Sequence, residues 1–287
     1  MDRRTFLTVP LAALAAPGTF LAPGAKPFPA PPRTEFAPAA APRTWALKGA
    51  AHGGDDAEAL RQIQSLQADW YYSWAAAYTV TTRPGFVPMV FSARALFELD
   101  AIGDVMRQLP ETQTRHLLGF NEPDHAGQSN MSVDEAIRLW PQLQSTGLSL
   151  GSPGTTNAAG PWLDQFMTKA RGANLRVDFI AVHCYTAPHT GSFLARLVSL
   201  HAKYGLPIWV TEFAVADWSA TPARPSRYTG LEIRRFMRDT VAGMRAMPFV
   251  ERFAWKTRGP FDPIMGESAL YDTDGQLTAT GRLYASL

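Results

Sequence analysis

Leu117-Leu118-Gly119-Phe120-Asn121-Glu122-Pro123-Asp124 reads as an apolar strand that ends in an Asn-Glu pair, with Pro123 stopping anything regular beyond it. A carboxylate at the mouth of a buried strand is costly to desolvate, and groups held at that cost concentrate at functional sites. About ninety residues later Pro207-Ile208-Trp209-Val210-Thr211-Glu212-Phe213 repeats the form. Two strand-terminal glutamates point to two-carboxylate chemistry. The continuous apolar runs that carry them suit strands covered on both faces, the signature of a parallel sheet.

Outward from these two, further runs of the same kind complete a set: 46–50, 69–73, 87–91, 116–120, 148–151, 179–183, 208–211 and 252–255. Amphipathic stretches separate several of them. Residues 55–66 carry apolar side chains at 59, 60, 63 and 66, one helical stripe. Ser132-Val133-Asp134-Glu135 has the form of a capping box and opens a helix toward Thr146, with Pro141 expected to kink it. Helices are also expected over 192–204 and 226–247, and Thr278 can cap a last one. The connection from 74 to 85 shows little helical pattern. Eight alternating β and α units predict a single (β/α)8 TIM barrel of the α/β class. A doubly wound open sheet is the competing arrangement, but no G-x-G-x-x-G turn follows the first strand.

The 287 residues are 46% apolar and 18% charged, with a formal net charge of +2. That balance suits a globular core and shows no basic run of the kind a nucleic-acid partner requires. The single cysteine, Cys184, excludes an intrachain disulfide and sits in an apolar run that suits an inert buried thiol. The six histidines have no metal-ligand spacing, and neither a metal nor another cofactor is expected. Gly147-Leu148-Ser149-Leu150-Gly151 matches a nucleophile elbow by letter, but Ser149 lies inside a strand rather than on a sharp turn.

At the start of the chain, Asp2-Arg3-Arg4-Thr5-Phe6-Leu7 resembles a bacterial twin-arginine export signal, followed by a short apolar run too brief to span a membrane. The expected organisation is a signal peptide over 1–25, a Pro/Ala-rich linker over 26–44 and a catalytic domain over 45–287. The expected product is a monomer, secreted or periplasmic, with no stable membrane insertion once the signal is removed.

Active sites of barrels lie at the carboxyl ends of the strands. Residues there include Trp74, Phe91, Asn121, Glu122, His183, Tyr185, Glu212 and Trp255. Paired carboxylates with an amide, an imidazole and aromatic rings are the residue types glycoside hydrolysis needs. One carboxyl protonates the departing oxygen while the other attacks or activates water, and the rings pack on sugar C–H faces.

Gly119-Phe120-Asn121-Glu122-Pro123-Asp124, Ala181-Val182-His183-Cys184-Tyr185 and Trp209-Val210-Thr211-Glu212-Phe213, in this order and spacing, resemble glycoside hydrolase family 128. That resemblance extends from about Trp45 to Leu287. It implies a clan A-like retaining β-1,3-glucanase that acts on laminarin-type polysaccharide or oligosaccharide by double displacement. Glu122 would be the acid/base, Glu212 the nucleophile, and Asn121 the partner of the sugar 2-hydroxyl. His183 and Tyr185 would orient the nucleophile, with Trp74, Trp218 and Trp255 as sugar-stacking surfaces. Phe91 and Lys256 depart from the family pattern, which leaves endo and exo action equally open. A glycanase of β-1,4 or β-1,6 linkage and a non-catalytic glucan-binding protein are the alternative readings.

Overall fold

Short strands alternate with helices over most of the described chain: β1 (Leu47–Ala51), α1 (Ala57–Ser65), β2 (Trp70–Tyr72), β3 (Gly85–Phe86), α2 (Ala93–Phe97), α3 (Ala101–Thr112), β4 (His116–Leu117), α4 (Val133–Gln144), β5 (Ser149–Leu150), α5 (Pro161–Gly172), β6 (Ile180–Thr186), α6 (Thr190–Tyr204), β7 (Ile208–Val215), α7 (Gly230–Arg245), β8 (Val250–Lys256) and α8 (Ala279–Ser286). The structure is a computed structural model that describes residues 46–53, 57–78 and 84–287. The expected export signal and the Pro/Ala-rich linker lie outside the described residues. Among those described, no helix is long and apolar enough to cross a membrane.

All strand pairs are parallel. Six strands run in the order β3-β2-β1-β8-β7-β6, and β4 pairs with β5. Isolated parallel bridges join the two sets, Met89 to Leu118 on one side and Gly151 to Phe179 on the other. Each strand therefore has a neighbour on both sides, and the expected (β/α)8 barrel is the observed fold. Regular pairing around the third and fourth strands is shorter than expected over 87–91 and 116–120. Pro88 has no N–H, so the third strand loses a rung; its carbonyl still accepts from Leu118 and the Leu118 carbonyl accepts from Val90.

Strand alternation divides the apolar residues into two layers. Trp70, Tyr72, Met89, Phe179 and Trp209 cluster inside the barrel, while their strand neighbours Tyr71, Ile180, Val210 and Phe253 pack outward against the helices. Bulky rings filling the interior make it a packed core rather than a pore. Helix starts follow the capping residues: Ser132 Oγ accepts from Glu135 N, Thr278 Oγ1 accepts from Gly281 N, and Thr229 with Glu232 forms a reciprocal capping box. That box moves the start of α7 four residues past the expected 226. Helix α4 continues through Pro141 to Gln144.

Candidate active site

Glu122 and Glu212 meet at the carboxyl ends of the strands through His183. The imidazole Nδ1 lies 2.9 Å from Glu122 Oε1 and its Nε2 lies 3.4 Å from Glu212 Oε1. An oxygen of each glutamate and a nitrogen of His183 all fall within 4.8 Å of one another. This is the one group of three among the described residues with spacing that a metal ion could use. The 2.9 Å Nδ1–Oε1 contact between His183 and Glu122 is of hydrogen-bond length.

The backbone arranges this meeting by breaking its own regularity. In β7, Trp209 pairs with Arg252 and Phe213 with Trp255, so β7 uses one residue more than β8 between the same two rungs. The same extra residue shows against β6, where Ala181 pairs with Trp209 and His183 with Glu212. This bulge reverses the alternation beyond Val210. Trp209 fills the barrel interior, and three residues later Glu212 also faces inward while Phe213 turns to the outer core. Without it, strict alternation would send Glu212 to the helix layer. Opposite, Gly154 makes room for the imidazole: a Cβ there would lie 2.7 Å from His183 Nε2. Glu122 and Trp74 both hold left-handed backbone conformations, at φ 41 and φ 60. Such conformations are costly for residues with a Cβ and cluster at functional sites.

Glu212 is held by three donors. Its Oε1 accepts from Tyr72 Oη at 2.8 Å and from Trp74 Nε1 at 2.9 Å, and its Oε2 accepts from the Tyr185 hydroxyl. Burial opposes its ionisation, but His183, Tyr185, Trp74 and Tyr72 together outweigh burial and hold the carboxyl below its ordinary range. Burial likewise disfavours the imidazolium of His183, yet Glu212, Glu122 and Asp124 bring its pKa above the ordinary value. Burial first, then Glu212, raises Tyr72 and Tyr185, which keeps both as neutral donors.

These shifts have opposite signs in stability. The raised His183 contributes stabilisation that is full below its unfolded pKa of 6.5 and is lost as pH rises through its folded value. The depressed Glu212 contributes stabilisation present above 4.5 and lost as pH falls through its lower folded value. The expected Tm therefore declines on both sides of a window between those limits. His183→Asn should flatten the alkaline decline selectively in a Tm series against pH; an unchanged alkaline limb would assign it to other groups.

The surrounding cleft, about 670 Å³, is lined by Trp74, Phe91, Asn121, Tyr185, Trp218, Lys256 and Arg258 together with the two glutamates. Asn121 donates to Gln128 Oε1 at 3.3 Å, while its own Oδ1 is buried without a hydrogen-bond partner in the protein. The loop behind Glu122 is pinned by Asp124, whose carboxylate accepts from Thr156 N and Thr156 Oγ1.

This barrel is similar to those of known proteins. Residues 49–284 match the family model described as the glycosyl hydrolase catalytic core. An endo-β-1,3-glucanase of GH128 subgroup I from Amycolatopsis mediterranei, solved with laminaritriose, is 33% identical with a TM-score of 0.72, covering 84% of this chain and 99% of that one. The chain belongs to glycoside hydrolase family 128. A subgroup II member from Sorangium cellulosum, also an endo-β-1,3-glucanase, is 28% identical with a TM-score of 0.67, over 84% of this chain and 98% of that chain. Alkali-sensitive linkage protein 1 of Schizosaccharomyces pombe is 29% identical over 234 residues, 76% of this chain, and this chain spans 40% of that protein's length.

The GH128 fold brings together all but one of the side chains singled out from sequence. Glu122, Glu212, Asn121, His183 and Tyr185 form the centre, and Trp74, Phe91 and Trp218 the walls. Trp255 is the correction. It is fully buried, packs edge-on against Phe213, and donates to the Ser268 carbonyl at 2.9 Å, so it offers no surface to a sugar. The reason is parity: with Ala254 facing the barrel interior, Trp255 must face the helices and Lys256 the cleft. Trp255→Ala should accordingly cost about 3–5 kcal/mol of stability in denaturant unfolding. Trp218→Ala, at a ring 60% exposed, should leave the unfolding midpoint in place and weaken oligosaccharide binding several-fold. The reverse pattern would restore Trp255 to the cleft.

Sequence reading passed over Tyr72 and Arg258. The signal for Tyr72 was available: it stands two residues after Trp70 on the same strand and therefore on the same inward face. Arg258 lies beyond β8 in irregular chain, where no periodicity tells which way a side chain points.

Proposed function

We propose that this protein is a β-1,3-glucanase that works by retaining double displacement. The observation that carries the reading is the approach of the two carboxylates to within 4.8 Å, oxygen to oxygen. Retaining glycosidases place their carboxyl groups about 5–5.5 Å apart, whereas inverting ones leave about 6.5–9.5 Å for a water. A neighbour at 33% identity that was solved with laminaritriose supports the substrate class.

In the first step Glu212 attacks the anomeric carbon as Glu122 gives its proton to the departing glycosidic oxygen. The C1–O bond to the leaving chain breaks and a covalent ester to Glu212 forms. In the second step Glu122 takes a proton from water, whose oxygen displaces Glu212 and restores the original configuration. Tyr72 and Trp74 hold Oε1 of Glu212 and Tyr185 holds Oε2, which fixes the carboxylate plane for attack. His183 touches both carboxylates, so its proton can follow the change of charge as Glu122 passes from acid to base. Asn121 lines the cleft next to Glu122, where its amide suits the hydroxyl next to the anomeric centre. Reducing-end release from laminarin, with β-1,4- and β-1,6-glucans, mannan and xylan run alongside, tests the linkage. Activity confined to another linkage, or binding to laminarin with no new reducing ends, would overturn it.

A further inference from the structure

Lys256 stands where a neutral glucan gives it little to do. Its ammonium lies 4.2 Å from the centre of the Trp74 ring and faces the cleft beside Glu212. It makes no ion pair within 4 Å among the described residues, and its contact with Trp74 covers part of the ring surface that a sugar would otherwise stack on. Arg258 reaches the same wall, where its guanidinium meets Asp262 at 3.2 Å and still lines the cleft. Two cations thus converge on one end of a sugar-binding groove, next to a ring. A half-buried ammonium held mainly by a π face has been partly desolvated without a full counter-charge. Burial indeed lowers its pKa against the pull of Glu212. An incoming anion would complete it, with the planar fork of Arg258 matched to a carboxylate.

We propose that the end of the cleft formed by Trp74, Lys256 and Arg258 is a subsite for a carboxylate-bearing sugar residue of the β-1,3-glucan chain. This rests on the glucanase reading above and narrows it. The same two cations offset the repulsion that Glu122 and Glu212 would otherwise exert on an acidic substrate.

The test compares kcat/KM on laminari-oligosaccharides with that on the same oligosaccharides partly oxidised at C6 to carboxylates. Expected is a preference of about 10–100-fold for the oxidised series, the range of a charge-assisted hydrogen bond, shrinking as salt is raised. Lys256→Met should abolish that preference and Lys256→Arg should keep most of it, with circular dichroism reporting the fold of each. Cleavage of neutral and oxidised chains at equal rates, or a preference that survives Lys256→Met in low salt, would overturn the subsite while the glucanase reading stands. If neither series is cleaved, the glucanase reading fails, and calorimetric binding of the two series decides the subsite alone. Tighter binding of the oxidised chains that Lys256→Met removes would sustain it, and equal or absent binding would overturn it.

Discussion

Glu212→Ala is expected to lower turnover of laminarin by orders of magnitude and to become an azide-dependent catalyst. The carboxylate is 5% exposed at its side chain and is gripped by Tyr72, Trp74 and Tyr185, so no neighbouring carboxylate can take its place at the anomeric carbon. Removing it leaves a small, donor-lined space on the face from which it attacked. Azide entering that space would displace an aryl leaving group from a β-glucoside and give the α-glycosyl azide, with part of the rate recovered. Stability should change far less than activity, because the desolvation cost of the buried carboxylate disappears along with its hydrogen bonds. Activity within tenfold of the parent, or recovery with a β-azide product, would assign the nucleophile elsewhere.

The second large effect is expected at Glu122. Gln in its place keeps a hydrogen-bonding partner for His183 Nδ1 but has no proton to give, and general acid–base groups contribute about 10²–10⁴-fold. The loss should depend on the leaving group. Laminarin, whose leaving alkoxide needs a proton, should show all of it, while an activated aryl glucoside should keep a fast first step and stall at the covalent stage, lowering KM together with kcat. Azide should then yield the β-glycosyl azide, opposite in configuration to the Glu212→Ala product. Equal losses on laminarin and on the activated glucoside would argue that Glu122 only positions His183.

The barrel and the two strand-end glutamates were legible because they rest on patterns that one strand carries by itself. An apolar run that stops in a carboxylate says both where the strand ends and which end of the barrel it reaches. Trp255 was misread because facing depends on parity, and parity needs a fixed neighbour. Ala254 inside the barrel supplies one, but only once β8 is aligned with β1. Glu212 illustrates the opposite hazard. Its inward direction depends on an extra residue in β7 that no spacing within the strand announces, since the bulge is defined by its pairing with β6 and β8. The left-handed backbone at Glu122 and Trp74 was equally hidden, as neither is the glycine or asparagine that usually marks such a turn. Lys256 was visible as a departure from the family pattern; its seat on Trp74 was not, because that contact joins the second strand region to the eighth.

The most direct test of the central claim is the anomeric configuration of the first product, followed by proton NMR during hydrolysis of a laminari-oligosaccharide before mutarotation sets in. With the Glu122 and Glu212 carboxylates approaching within 4.8 Å, the β-anomer should appear first and the α-anomer only later by mutarotation. Initial release of the α-anomer would contradict the double-displacement account.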